Sequence, residues 1–383
     1  MTKNTDFTVA IPTYNGQSRL PELLERLRNQ LYTEHLSWEI IVIDNNSTDN
    51  TAKVIQTYQQ NWQCPYPLKY LFETKQGAAH ARQRAIEEAK GTFIGFLDDD
   101  NYPTSTWVAA AYAFGEQHPL AGAYGSQVHG DFEVEPPENF KKIASFLAIT
   151  ERGTKPLQYK AHMKMLPPGA GLVVRKQAWE RTVPKNLVLN HKGREAGLAS
   201  EDLEAVLHIQ LGGWEIWYNP EMSIYHKIPA WRLQREYLIS LFRCVGLSRH
   251  HLRMLRIQPW QRPLGSLVYL VNDVRKIILY ALKYRGTFQT DLIAACEIEL
   301  LMSSFISPFY LFQKRYLNIV VSDLVMYLFQ AIKASATSTS LNTSPLGFNS
   351  ERSQTVNLAK KDWGVPQLSR KPDNDLLAYQ KLS

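Results

Sequence analysis

FIGFLDDDN, residues 93–101, runs from five apolar or small residues straight into three aspartates and an asparagine. A short apolar run of this kind reads as a buried strand, which places the carboxylates at its carboxyl end. Three adjacent carboxylates repel one another unless a cation joins them. Oxygen ligands at that density suit a hard divalent ion, Mg2+ or Mn2+. Such ions commonly take one or two protein carboxylates and complete their shell with substrate phosphates. Asp98 and Asp100 are therefore the candidate ligands, and Asp99 is the middle residue expected to be replaceable. The competing reading is an exposed acidic loop that leads into a helix near Ser105.

Upstream of this stretch, residues 7–11, 40–43 and 68–72 also read as buried strands. Helical patterns separate them. Leu20, Leu23, Leu24, Leu27 and Leu31 recur at helical spacing, with Pro21 suited to a first turn. Ser47 or Asp49 can cap a second helix through Val54 and Ile55. A third spans residues 77–90 and ends at Gly91. This alternation predicts an α/β fold, with a mainly parallel sheet covered by helices on both faces. Ligands bind such sheets beyond the carboxyl ends of the strands. The segments Pro12-Thr13-Tyr14-Asn15, Asp44-Asn45-Asn46-Ser47 and Asp98-Asp99-Asp100-Asn101 are thereby brought to one crevice. Asp44 is read as an acceptor for a nucleobase imide or a ribose hydroxyl. Asp49 is read as closing the turn that starts the next helix.

The order PTYNG, IDNNSTDNT, KQGAAHARQRAIEEAKG, FLDDDN resembles the family 2 glycosyltransferases of the GT-A (Rossmann-like) fold, over residues 6–227. The resemblance implies that Pro12, Thr13, Tyr14, Asn15 and Asp44 hold a nucleotide. It places Gly77 and Arg82 near the nucleotide and its diphosphate. It makes Asp98 and Asp100 a DxD motif, with Asp100 the direct metal ligand. Asn45 stands where the family usually has a second acid, and offers an amide for ribose contacts. GAGLVVRKQAW, residues 169–179, resembles the small-residue segment behind the donor sugar, where Gly169 and Gly171 permit close backbone approach or, alternatively, a tight strand entry. SEDLE, residues 200–204, resembles the ED motif. That implies Asp202 as catalytic base, with Glu201 helping to bind the acceptor. The same residues also read as a helix N-terminus capped by Ser200. His226 follows the strand-like residues 215–218 and matches a late histidine that contacts metal or diphosphate.

The resemblance further implies an inverting, metal-dependent transfer of a sugar, a hexose by class, from a nucleotide-diphosphate donor. Gln234-Arg235-Glu236-Tyr237 does not reproduce the QxxRW motif of processive synthases. Single additions to a lipid-linked or oligosaccharide acceptor in exopolysaccharide synthesis are therefore expected. The whole chain most resembles cyanobacterial exopolysaccharide transferases of the hormogonium-polysaccharide type.

The chain has 383 residues, 44% hydrophobic and 21% charged, which suits a folded protein with a large core. A net charge of +7 points to anionic partners such as nucleotide phosphates or an acidic membrane surface. Three scattered cysteines give neither a disulfide framework nor zinc spacing, which suits a reducing compartment. The polar first residues do not read as a signal peptide. These features predict a cytoplasmic enzyme at the inner face of the plasma membrane.

Four regions are expected: a nucleotide-sugar-binding half over residues 1–104, an acceptor-binding half over 105–227, a basic helical region over 228–333, and a largely disordered tail over 334–383. Residues 225–285 hold twelve lysines and arginines against Glu236 and Asp273, interleaved with Trp231, Phe242 and Trp260. That mixture suits a helix lying on anionic lipid. Residues 292–312 are long enough to span a bilayer, but Glu297 and Glu299 interrupt them. A helical bundle packed on the catalytic half is the alternative. No recognised nucleic-acid-binding module accompanies the basic stretch, so nucleic acid is not an expected partner.

Overall fold

The computed structural model describes residues 5–163, 165–191, 198–284 and 290–316. Its first part alternates β1 (Phe7–Thr13), α1 (Leu20–Arg28), β2 (Trp38–Asp44), α2 (Thr51–Gln60), β3 (Leu68–Phe72), α3 (Ala78–Glu88) and β4 (Phe93–Phe96). There follow β5 (Asn101–Pro103), α4 (Trp107–Gln117), β6 (Ala121–Phe132), β7 (Leu157–Gln158), β8 (Val173–Arg175), α5 (Lys176–Thr182), α6 (Glu201–Leu211) and β9 (Glu215–Ile228). Three long helices complete it: α7 (Arg235–Leu255), α8 (Arg262–Lys283) and α9 (Leu292–Tyr316).

The sheet runs in the order β3-β2-β1-β4-β8-β6-β9-β5, with β7 paired to β9. The ladders β3-β2-β1-β4 are parallel, as the βαβ alternation requires. β6 and β9 are also parallel, while β8, β5 and β7 join antiparallel. The architecture is thus the α/β one expected, with a mixed second half.

Every residue of β1 and β2 is buried, Glu39 and Asp44 among them, as mainly apolar or β-branched runs require when helices cover both faces. On one face, Leu20, Leu23, Leu24 and Ile55 pack with Trp107 and Phe114. On the other, Ala81, Ala85, Trp179, Ala205 and Ile209 form a second core. Leu31 departs from the expected stripe. It lies beyond the end of α1 and is exposed.

Register sets the site. Thr13 pairs with Asp44 and Asp44 with Phe72, so β1, β2 and β3 end level, while β4 ends earlier, with Phe96 opposite Ala10, and the aspartates continue beside the end of β1. Asn101 pairs with His226 across β5 and β9. His226 therefore lies inside a long strand that starts at Glu215, not after a shorter one.

A third core joins Phe140, Ile143 and Leu147 to Ile228, Phe242, Ile293 and Leu300, and so ties the C-terminal helices to the sheet domain. α7 and α9 approach closely at Gly246, where a Cβ would stand 2.6 Å from the Ser303 Cβ and 2.9 Å from the Leu300 carbonyl oxygen. The carboxylates that interrupt α9 both have partners. Glu299 pairs with Arg243 at 2.7 Å, and Glu297 accepts from the Tyr280 hydroxyl at 2.5 Å. By length and composition Leu292–Lys314 could cross a membrane, yet more than half of it is buried inside the protein.

α8 is different. Its buried face is anchored by Asp273, which takes two hydrogen bonds from Arg253 at 2.6 and 2.9 Å. Leu264, Leu267, Val268, Val271, Ile278 and Leu282 are each more than half exposed along it. The tail expected over residues 334–383 lies outside the described residues.

Candidate active site

The loops after β1 and β2 are laced together. The Asn15 N–H donates to Ser47 Oγ at 2.9 Å, and the Thr48 N–H donates to Asn15 Oδ1 at 2.8 Å. Asn15 itself has φ 51°, a left-handed conformation that asparagine tolerates. Tyr14 stands exposed at the rim, while Pro12 and Thr13 are buried in β1. Ser47 is thus used on the β1 loop and does not cap α2. Asp49 accepts from the Thr51 N–H at 3.0 Å, the turn expected of it.

Asp44 and Asn45 differ from expectation. Asp44 Oδ1 accepts from the Ser47 N–H at 2.9 Å, so this carboxylate does close its own turn. Its Oδ2 accepts from the Tyr70 hydroxyl at 2.9 Å. Burial and the Asp44 charge push that phenol up to about 12. The Asn45 amide is not free for a ribose. Nδ2 donates to the Lys75 carbonyl at 2.7 Å and Oδ1 accepts from the Gly77 N–H at 2.6 Å. Asn45 therefore shapes the loop before α3. Gly77 has φ 131° there, and a Cβ would overlap the Asn190 side chain.

The three aspartates point to three different cations. Asp98 Oδ1 accepts from Arg82 at 3.0 Å, and its side chain is partly exposed. Asp99 is not the replaceable residue. It is buried, takes two hydrogen bonds from Arg19 at 2.7 and 2.9 Å, and accepts from the Thr13 hydroxyl at 2.6 Å. Asp100 accepts from Arg232 at 2.9 Å and from Asn101 Nδ2 at 3.0 Å, with His226 Nε2 at 3.7 Å. Burial disfavours the Asp100 charge, but the guanidiniums of Arg232 and Arg19 offset it and the carboxyl lies well below its ordinary range.

His226 Nδ1 faces the Leu147 carbonyl at 2.9 Å, so it carries the ring proton and leaves Nε2 as an acceptor. Arg232 donates to that Nε2 at 2.9 Å. Arg232 was expected among the membrane-facing cations, and it lies in the crevice instead. Neither it nor Arg19 was singled out from the sequence, and no local pattern marks either one.

Among the described residues no three or more His, Cys, Asp or Glu side chains are gathered as a metal cage. The donor chemistry nevertheless fits Mg2+ or Mn2+. Asp98 and Asp100 supply hard oxygens, and His226 presents an Nε2 whose ring is fixed by a backbone carbonyl behind it.

The other wall begins at α6. Ser200 has φ 76° and among the described residues its side chain makes no capping hydrogen bond, contrary to expectation. Asp202 Oδ2 accepts from the Gly169 N–H at 2.5 Å, and Oδ1 from the Leu203 N–H at 2.8 Å. A Cβ on Gly169 would stand 2.9 Å from Arg82 Nη2 and 3.0 Å from the Asp202 Cβ, so any side chain there would have to push Arg82 and Asp202 aside. Gly171 serves the strand entry, with φ 66° and its carbonyl accepting from Ser126 Oγ at 2.6 Å.

Burial, then the charge of Glu201, pushes the Asp202 carboxyl up to about 6, while Arg82 and two backbone N–H groups oppose the rise. Glu201 is buried and faces Arg82 at 2.5 Å rather than the open crevice. One guanidinium thus joins the carboxylate after β4 to the acidic pair that opens α6. A carboxyl pushed up to about 6 is ionised at neutral pH and basic enough there to take a proton.

Residues 8–179 match the model of glycosyl transferase family 2. The poly(ribitol-phosphate) beta-N-acetylglucosaminyltransferase TarS of Staphylococcus aureus is 30% identical over 112 residues, 29% of this chain and 19% of that protein. The GalNAc(5)-diNAcBac-PP-undecaprenol beta-1,3-glucosyltransferase of Campylobacter jejuni is 34% identical over 96 residues, 24% of this chain and 29% of that protein. The chain spans about a fifth to a third of the length of the curated relatives it matches. The mannosyltransferase PcManGT from Pyrobaculum calidifontis, solved with GDP-Man and Mn2+, shares the fold with a TM-score of 0.52 at 17% identity, over 81% of this chain and 88% of that one.

Proposed function

Because residues 8–179 belong to glycosyl transferase family 2 on a GT-A fold, we propose that this chain is an inverting, metal-dependent hexosyltransferase. It moves one sugar from a nucleotide diphosphate to a lipid-linked or oligosaccharide acceptor in exopolysaccharide synthesis. Residues 1–104 hold the donor and residues 105–227 receive the acceptor. The observation that carries this reading is Asp202, pushed up to about 6 and linked through Arg82 to Asp98.

Asp202 takes the proton from an acceptor hydroxyl as that oxygen bonds to the anomeric carbon. The bond from that carbon to the diphosphate breaks on the opposite face, so the configuration inverts. Gly169 holds the Asp202 carboxylate in place through its N–H. Pro12, Thr13, Tyr14, Asn15 and Asp44 border the nucleotide, and Asn45 and Gly77 shape the loop beside it. Arg82 and Arg232 supply positive charge beside the leaving diphosphate, and each keeps a buried Nε–H without a partner among the described residues. Asp98, Asp100 and His226 would hold the divalent ion, which when bound offsets charge on the departing diphosphate.

Membrane contact on the cytoplasmic side is supported by the exposed apolar stripe of α8, together with exposed Arg275 and Lys283 on the same helix. The name of the Campylobacter relative, which includes a PP-undecaprenol acceptor, also favours a lipid-linked one.

The test is release of nucleotide diphosphate from a donor panel with Mn2+, parent against Asp202→Asn. General-base catalysis supplies roughly 10²–10⁴-fold. The variant is expected to bind donor and lose turnover by that factor. Equal transfer rates would remove Asp202 as the base.

A further inference from the structure

A cleft of about 340 Å³ opens between the sheet domain and the C-terminal helices. Its walls come from residues 141–152, from the start of α6, and from α7, α8 and α9. Ser200 and Leu203, on either side of Glu201 and Asp202, line it. The residues flanking the proposed base therefore border the cleft.

The lining is mostly apolar, with Phe146, Leu166, Leu207 and Leu252 among its residues. Six of its twenty residues are cations, namely Lys141, Lys142, Arg152, Arg249, Arg253 and Arg256, against a single acid, Glu151. Among the described residues no carboxylate pairs with Lys141, Lys142, Arg152 or Arg256. Asp273 answers Arg253, and Glu151 faces His129 at 2.5 Å. Arg256 donates only to the Ala161 carbonyl at 3.3 Å and has no carboxylate partner among the described residues. Burial accordingly lowers its pKa, with Tyr269 opposing. Lys141 and Lys142 are exposed at the mouth. An apolar cleft with surplus cations is self-repelling until an anion enters, and a neutral oligosaccharide would not relieve it.

We propose that this cleft is the acceptor site and takes a lipid with a phosphate or diphosphate head, whose attached sugar extends toward Asp202. The head sits among Lys142, Arg152 and Arg256, and the first part of the hydrocarbon tail lies on the apolar wall. α8 contributes Tyr269 to the cleft and turns its apolar stripe outward. One helix thus borders both the cleft and the surface on which the rest of the tail would lie. This assignment rests on the transferase reading above and adds to it the chemistry and place of the acceptor.

Farnesyl diphosphate, inorganic diphosphate and farnesol, titrated into the full chain by calorimetry, test it. Farnesyl diphosphate should bind at least tenfold more tightly than either of the other two. Arg256→Gln and, separately, Lys142→Gln should each weaken it at least fivefold while retaining the parent melting temperature. If Arg256→Gln melts early, Lys142→Gln, at an exposed position, decides. Equal binding of farnesyl and inorganic diphosphate, no binding, or variants that bind like the parent overturn the assignment. Release of nucleotide diphosphate into water, followed in the same preparations, separates the two readings. If it persists without lipid binding, only the cleft assignment fails. If lipid binds as expected but no donor is cleaved, the transferase reading fails and the cleft remains an anionic-lipid site.

Discussion

Arg232 Nη2 stands 2.9 Å from Asp100 Oδ2, so a side chain from the segment before α7 neutralises the last carboxylate of the aspartate triplet. The same guanidinium donates to His226 Nε2. A divalent ion that uses Asp100 must compete with this arginine or displace it.

Arg232→Gln is therefore expected to tighten Mn2+ binding in the absence of nucleotide. A hydrogen bond between charged groups contributes about 1.5–3 kcal/mol, so the gain should be roughly ten- to a hundredfold. Calorimetry with Mn2+ alone checks this. Unchanged or weaker affinity would show that Arg232 does not compete for Asp100.

With Asp202 as the proposed base, the rate should carry an acid limb near pH 6, because a carboxyl pushed up to about 6 must be ionised to take a proton. kcat/KM is expected to fall tenfold per pH unit below that point. Glu201→Gln removes a charge that raises this pKa, so the limb should move to lower pH. A limb that stays in place in the Glu201 variant contradicts the coupling.

Stability should show the opposite sign. A carboxyl raised in the folded state favours folding below its unfolded pKa, and that stabilisation is lost as pH rises through about 6. The melting temperature of Asp202→Asn relative to the parent should thus improve between pH 4 and pH 7. A pH-independent difference would assign the shift to lost hydrogen bonds from Gly169 and Leu203 instead.

Removing Arg82 leaves Glu201 buried without its partner. Breaking a buried pair by deleting one member costs about 3–5 kcal/mol. Arg82→Gln should lower the urea midpoint accordingly, and adding Glu201→Gln should recover part of the loss, since contacting residues are not additive. Strict additivity in the double variant would argue against the bridge.

Membrane contact through α8 predicts that vesicles containing phosphatidylglycerol capture the protein better than neutral vesicles, and less so at high salt. Val271→Glu and Leu267→Glu sit on the exposed face and should abolish capture with little change in melting temperature. Capture that survives both substitutions would place the contact elsewhere.

Much of the fold was legible because its signals are local. Unbroken apolar runs mark β1, β2 and β4, and the strand-end rule puts Asp44, Asp98 and Asp100 in one crevice. What was misread depends on distant partners. Asp99 looked dispensable because Arg19 lies 80 residues away, and nothing beside the triplet points to it. Asn45 looked available because the atoms that occupy it belong to Lys75 and Gly77. Arg232 looked like one more surface cation until the β5–β9 ladder brought His226 and the residues after it beside Asp100. The left-handed backbone at Ser200 turns on how α6 docks, which no cap pattern records.

The pairing of Asn101 with His226 also sets an order of assembly. During synthesis the crevice floor, from β1 to β4, emerges long before β9. Until that strand is laid down, Asp100 has neither His226 nor Arg232 beside it, and Asp98 and Arg82 lack Glu201 until α6 has docked. A chain still on the ribosome can present the loops after β1, β2 and β4 but not the completed crevice. A copy cut before β9 keeps all three aspartates yet lacks both side chains that His226 and Arg232 bring to Asp100.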